Sequence, residues 1–209
     1  MSAGLSVVAT NEDLGRAEAT RQSILDAAAR ILRRDGYSGA RLSDIAAEIG
    51  MKAGSLYYHF GSREALVEAV MEAGTRRTHA RMVEQLAALP PDADHLTVIR
   101  TAIETHLVMI IAQEDNTSAT IKLIWQVPQA LRDKVLTEQR AYGGLWRDLL
   151  AAAREAGAIR ADVDLSVARM AIMGALNWAA DWYKAGRMSP EEIARDIATM
   201  IIGGLKRAS

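Results

Sequence analysis

Three glycines, at positions 36, 50 and 61, cut an otherwise helical pattern near the N-terminus into pieces too short to stand alone. Before the first of them, Ile24, Leu25, Ala28, Ile31 and Leu32 recur on one helix face. That spacing predicts a helix over about residues 20–35, with Gly36 as its stop. A second, short helix carries Ile45, Ala46 and Ile49 inward, with Ser43 as its N-cap and Gly50 at its end. The third piece, residues 53–60, is barely two turns long, and a helix of that length is marginal in water unless its neighbours hold it. A chain punctuated in this way must pack its short helices against longer ones.

The third piece is also where the aromatic residues gather. Tyr57, Tyr58 and Phe60 are three of the ten aromatic side chains, and His59 lies among them. Leu56 and Phe60, four apart, form the side expected to be buried. Tyr57 and His59 then point outward and Tyr58 lies near the boundary, because adjacent helical positions cannot share one face. Two short helices joined by Gly50-Met51-Lys52, with a helix before and after, spell helix-turn-helix. In that unit the Tyr hydroxyl and His N–H groups reach phosphate oxygens and set register on a duplex. Ser55 approaches a base edge, Gly54 lets the backbone come close, and Lys52, Arg41, Ser43, Tyr58 and Arg63 complete the expected DNA-facing set.

Charge supports an anionic partner for this part of the chain. Eight basic and five acidic residues between Arg16 and Arg63 give it +3, and the net charge of −1 then leaves −4 for the remainder. Beyond Pro90-Pro91 the helices lengthen. Asp94 caps one carrying Leu96, Ile99, Ile103, Leu107 and Ile110. Others are expected over about 117–127, 129–157 and 165–185, and a last one opens with a full capping box at Ser189-Pro190-Glu191-Glu192. The fold class is all-α, with a three-helix head on a larger helical body.

Several functions are disfavoured. There is no GxSxG elbow, no GxGxxG fingerprint and no GxxxxGK[ST] loop, and Cys is absent. The four His residues lack metal-site spacing, so neither a metal nor a cofactor is expected, and enzymatic activity is not expected. The N-terminus lacks the form of a signal peptide, and the apolar run from Met170 to Ala180 is short and interrupted by Asn177. A cytoplasmic protein without membrane contact is the expectation.

The segment from Ile24 to Leu66, with "ILDAAARIL" followed by "DGYSGARLSDIAAEIGMKAGSLYYHFGSREAL", resembles the DNA-binding head of the tetracycline-repressor (TetR) family of bacterial transcription regulators. The resemblance implies a homodimer whose two heads read a palindromic operator, and a body that dimerises and holds a small-molecule pocket. Tyr57 and His59 occupy the family's phosphate-contacting positions. Arg63 stands where Lys is more usual, and Lys52 replaces a Ser or Thr cap. The boundaries expected are a disordered leader over 1–18, a head over 19–66 and a body over 67–209.

For the pocket the candidates are Ile103, His106, Leu107, Ile110, Leu123, Trp125, Trp146 and Leu149. For the dimer interface they are Ile172, Ala175, Trp178, Trp182, Ile197 and Ile201. The C-terminal stretch "GALNWAADWYKAGRMSPEEIARDIATMIIGGL" is similar to TetR-type regulators of lipid or steroid catabolism that respond to acyl-CoA thioesters. That likeness implies an apolar tunnel with Arg132, Arg140 or Arg147 near its mouth. An apolar or aromatic effector of the multidrug type is the rival ligand, and a helical interaction protein that has lost DNA binding is the rival function.

Overall fold

The computed structural model describes residues 11–111, 121–184 and 186–207. Eight named helices lie within them: α1 (Asn11–Gly39), α2 (Leu42–Glu48), α3 (Ala53–Phe60), α4 (Arg63–Ala87), α5 (His95–Ile111), α6 (Gln129–Glu155), α7 (Leu165–Trp182) and α8 (Pro190–Leu205). The only pairing of β type among the described residues is a single bridge between Ile159 and Lys206. The all-α expectation therefore holds. No described helix is long and apolar enough to cross a membrane.

Helix starts follow local chemistry. The Ser62 hydroxyl accepts from the Ala65 N–H at 3.0 Å at the start of α4. Asp94 takes the Leu96 and Thr97 N–H groups, both at 3.0 Å, and the Thr97 hydroxyl holds its carboxyl below the usual carboxylate range. Ser189 and Glu192 form the reciprocal capping box of α8. Three boundaries differ from expectation. The helical residues 11–18 replace the part of the expected leader that is described, while residues 1–10 lie outside the described residues. α2 begins one residue before Ser43, with Arg41 as its uncapped flank, so the Ser43 hydroxyl sits inside the first turn beside Asp44 rather than capping. The helix expected to reach Val127 ends at Leu123 in a turn over 124–126, and its residues 117–120 lie outside the described residues.

Gly36, Gly50 and Gly61 all have φ near +70°, the left-handed region where a side chain costs energy, so each stop comes from backbone geometry. Gly36 also breaks α1 three residues before its nominal end.

Two apolar clusters organise the molecule. The first gathers α1, α2, α3 and the first half of α4 around Ile24, Ile31, Leu32, Ile45, Leu56 and Leu66. Leu123, Val127, Leu131 and Val135 complete it, so packing does not divide at residue 66: body side chains close the head's core. The second cluster surrounds α5, which packs against α4, α6, α7 and α8 and buries Ile99, Ile103, Leu107 and Ile111. Lys206 and its neighbours are pinned alongside residues 158–160, with the Arg160 N–H donating to the Leu205 carbonyl at 3.0 Å.

Candidate functional site: a nucleic-acid face and a ligand cavity

α3 is anchored by two buried side chains, with Ala53 partly covered beside them. Leu56 is 1% exposed and Phe60 9%, and both join the head core. The Arg21 guanidinium lies 4.3 Å from the Phe60 ring centroid and clamps the helix end against α1. Tyr57 is 54% exposed and Tyr58 88%, so Tyr58 stands fully outside instead of at the boundary. His59 is half-buried, edge-on to the Tyr58 ring at 5.3 Å. Gly54 is exposed, and a Cβ built there meets nothing within 4 Å. The fold therefore does not require glycine at this position; only a partner approaching closely would.

The charges of the head divide into tied and free. Arg30 pairs with Glu48 at 2.6 Å, and Arg34 with Asp35 at 2.7 Å. Arg63, expected to meet phosphate, is drawn inward. Its guanidinium donates to the Tyr37 and Ala40 carbonyls and stacks over the Tyr37 ring at 4.3 Å, fastening the start of α4 to the α1–α2 junction. Arg41 and Lys52 remain exposed, with no ionic partner among the described residues, beside exposed Ser43 and half-buried Ser55. What faces outward is thus a compact set of hydroxyl, imidazole and basic groups around one two-turn helix.

In the body, a cavity of about 400 Å³ opens between α4, α5, α6, α7 and residues 121–125. Of the residues expected to line it, His106 and Trp125 do so. Ile103, Leu107, Ile110, Leu123 and Trp146 are instead fully buried core, and Leu149 packs partly buried on the second cluster. These six lie outside the lining because a helix facing a cavity presents only a few of its apolar positions to it. Residues absent from the expected set carry the polar chemistry: Tyr142, Asn177 and Arg169. Asn177 interrupts a long apolar run, and that interruption was the available signal.

These polar groups form a defined relay. His106 Nε2 lies 3.0 Å from Asn177 Oδ1, and His106 Nδ1 lies 2.6 Å from the Tyr142 hydroxyl. An amide oxygen only accepts, so Nε2 carries the proton, Nδ1 accepts, and the Tyr142 O–H donates. Burial pushes the His106 pKa from 6.5 down to about 4, against the opposing effect of Asn177. Burial likewise raises the Tyr142 hydroxyl above its usual range. The relay is therefore neutral near pH 7. Trp146 packs edge-on to both rings, with centroids 6.0 and 6.5 Å away.

Between cavity and head lies a short run with two faces. Ile121, Ile124 and Trp125 line the cavity, while Leu123 and Val127 are buried in the head core. Gln126 ties this run to the head. Its Oε1 accepts from the Tyr37 N–H at 2.9 Å, and its Nε2 donates to the Lys122 carbonyl at 3.0 Å. A Cβ on Gly36 would come within 2.7 Å of that same Oε1, so the contact exists only because residue 36 is glycine. Arg132, expected near the cavity mouth, lies 5.3 Å over the ring of Trp125, whereas Arg140 and Arg147 are exposed on α6 away from the lining.

The outer face of α7 is apolar and exposed. Trp178 is 66% exposed and Val167 67%, with Trp182 at 39% and exposed Ala175 on the same helix; Met170, 60% exposed, borders the cavity. On α8, Met200 is exposed, and Ile197 and Ile201 are partly covered. Ile172 is 3% exposed and turns into the core, which removes it from the expected interface set.

Two family models match this architecture: "Bacterial regulatory proteins, tetR family" over residues 24–70, and "Tetracyclin repressor-like, C-terminal domain" over residues 92–205. The chain belongs to the TetR family. It is an all-α, DNA-binding transcription regulator with an N-terminal helix-turn-helix. Among its relatives is the HTH-type transcriptional repressor KstR2 of Mycolicibacterium smegmatis, 26% identical over 193 residues, spanning 90% of this chain and 91% of that protein. The structure of the ketosteroid transcriptional regulator KstR2 of Mycobacterium tuberculosis superposes with a TM-score of 0.77 at 20% identity, over 90% of this chain and 96% of that one. AibR, solved in complex with isovaleryl coenzyme A and operator DNA, gives 0.75 at 23% identity, over 86% of this chain and 96% of its own.

Proposed function

We propose that this regulator is a repressor that binds a palindromic operator as a homodimer and is released by a small acyl ligand in the body cavity. In this reading α3 enters the major groove. Tyr57, Tyr58 and His59 contact phosphates, while Gly54 and Ser55 approach base edges, and Arg41, Ser43 and Lys52 add contacts at the flanks. The exposed apolar face of α7, with Val167, Trp178 and Trp182, meets its equivalent in a second copy. A surface of that kind is costly to leave in water.

The observation that carries the proposal is the two-faced run at 121–127. A ligand that moves Ile124 or Trp125 acts on the same few residues that place Leu123, Gln126 and Val127 against the head. Head spacing then shifts away from successive major grooves, about 34–36 Å apart for a one-turn half-site spacing or a multiple of it. The complex of AibR with isovaleryl coenzyme A supports an acyl-CoA thioester as the effector class.

Fluorescence anisotropy on DNA taken from upstream of its own gene, or recovered by random-site selection, tests this reading. Binding that weakens steeply with salt and is released by one thioester is expected. Salt-insensitive binding, or none to any selected sequence, contradicts it.

A further inference from the structure

Among the described lining residues the one charged side chain is a cation, Arg169, set among neutral amide, hydroxyl and imidazole groups. None of the described lining side chains is acidic. Tyr142 donates its only proton to His106, and Asn177 Oδ1 is occupied by the same ring, which leaves the two amide N–H donors of Asn177. Arg169 lies half-buried in the lining. Its Nε is fully buried, and no described residue accepts a hydrogen bond from its guanidinium. The guanidinium reaches across to α6 over Gly143, where a Cβ would stand 4.0 Å from Nη1. A guanidinium with no anionic partner among the described residues, in a largely apolar recess, is costly unless an anion joins it.

Arg169 and Asn177 lie eight residues apart on α7, so about 12 Å separates them along the helix axis. Met170 and Met173 lie between them in the lining, with Ile121 and Ile124 from the run at 121–127.

We propose that the cavity is specific for an elongated amphiphile with an anionic oxygen group at Arg169, an apolar middle, and an acceptor oxygen at Asn177. Arg169 is the specificity-determining residue. The inference rests on the effector-binding reading and narrows it: cationic amphiphiles are excluded, and neutral apolar compounds bind weakly. A free carboxylate and a coenzyme A phosphate share this chemistry.

The test is calorimetry on the full chain with ω-hydroxydecanoate, decanoate, decanol, decyltrimethylammonium and decanoyl-CoA. Both acids are expected to bind more tightly than decanol, with ω-hydroxydecanoate ahead of decanoate, and the cation is expected not to bind. Decanoyl-CoA ahead of ω-hydroxydecanoate, with the same dependence on Arg169, assigns the anion to the phosphates; the reverse order assigns it to a carboxylate. Arg169→Met weakens the anionic probes by about ten- to a hundredfold, the scale of a charge-assisted hydrogen bond, and leaves decanol unchanged. Arg169→Lys keeps the charge without the fork and loses less.

Decanol or the cation binding as tightly as the acids overturns the inference, as does an Arg169→Met affinity within twofold of wild type or the absence of binding by any anionic probe. DNA binding by the ligand-free protein, measured on the same preparation, separates these failures. If it persists, the regulator stands and only the ligand class falls.

Discussion

Two polar clusters, one on α3 and one around His106, use the same side-chain types in opposite ways. On α3, Tyr58 and Tyr57 stand in water with no hydroxyl partner among the described residues, and Leu56 and Phe60 are the buried anchors of the helix, with Ala53 partly covered. In the body, Tyr142 and His106 are buried and satisfy each other, and Asn177 closes the relay. The first cluster contributes little to folding because its side chains are exposed, and the partner proposed for them is the operator. The second belongs to the fold, and removing one member leaves the others unpaired in an apolar surrounding. Changes on α3 should therefore alter operator binding at constant stability, and changes around His106 should lower stability first.

The largest expected effect is in the body. His106→Ala should lower unfolding free energy by about 3 kcal/mol in urea titrations, through the lost packing and the unpaired Tyr142 and Asn177 groups. The same residue gives the wild type a pH signature. Its folded pKa of about 4 lies below the unfolded 6.5, so the unfolded chain binds more protons between those values. Its neutral form then costs nothing above about pH 6.5. As pH falls from 6.5 towards 4, about 3 kcal/mol of stability is lost, and a urea series should find that slope reduced in His106→Ala.

On α3 the outcome reverses. Tyr57→Ala with Tyr58→Ala should reduce operator affinity by about ten- to a hundredfold, the scale of one to two charge-assisted hydrogen bonds, while thermal midpoints stay near wild type. A comparable fall in stability would break the contrast. Gly36→Ala lies between the two regions and should cost about 2 kcal/mol, from left-handed strain and the displaced Gln126. Adding Gln126→Ala relieves the clash but not the strain, so part of the loss remains. The smallest effect is at Gly54, where Ala should leave stability unchanged or raise it by up to about 1 kcal/mol and still weaken operator binding.

What the sequence made legible was local. Ser62, Asp94 and Ser189 cap because a side-chain oxygen lies two or three residues from the N–H it accepts, and Gly36, Gly50 and Gly61 stop helices through their own φ. The buried pair Leu56 and Phe60 follows from a spacing of four. What was not legible depends on distant residues. Arg63 has the look of a phosphate contact until the Tyr37 and Ala40 carbonyls, 26 and 23 residues earlier, are folded against it. His106 stands near an apolar face in the sequence, but its partners lie 36 and 71 residues further on. Ile172 and Met173 are neighbours of similar hydropathy, and only the packing of α7 sends one to the core and the other to the cavity.

In the proposed mechanism, cavity and head communicate through residues 121–127. The direct measurement is operator affinity, by anisotropy, with and without a saturating concentration of the tightest probe, for wild type and Gln126→Ala. The account predicts at least tenfold weakening by ligand in the wild type. In the variant, which lacks the bond to Tyr37 but still binds ligand, that factor should fall to a few-fold. An equal factor in both proteins would contradict it and place the coupling elsewhere.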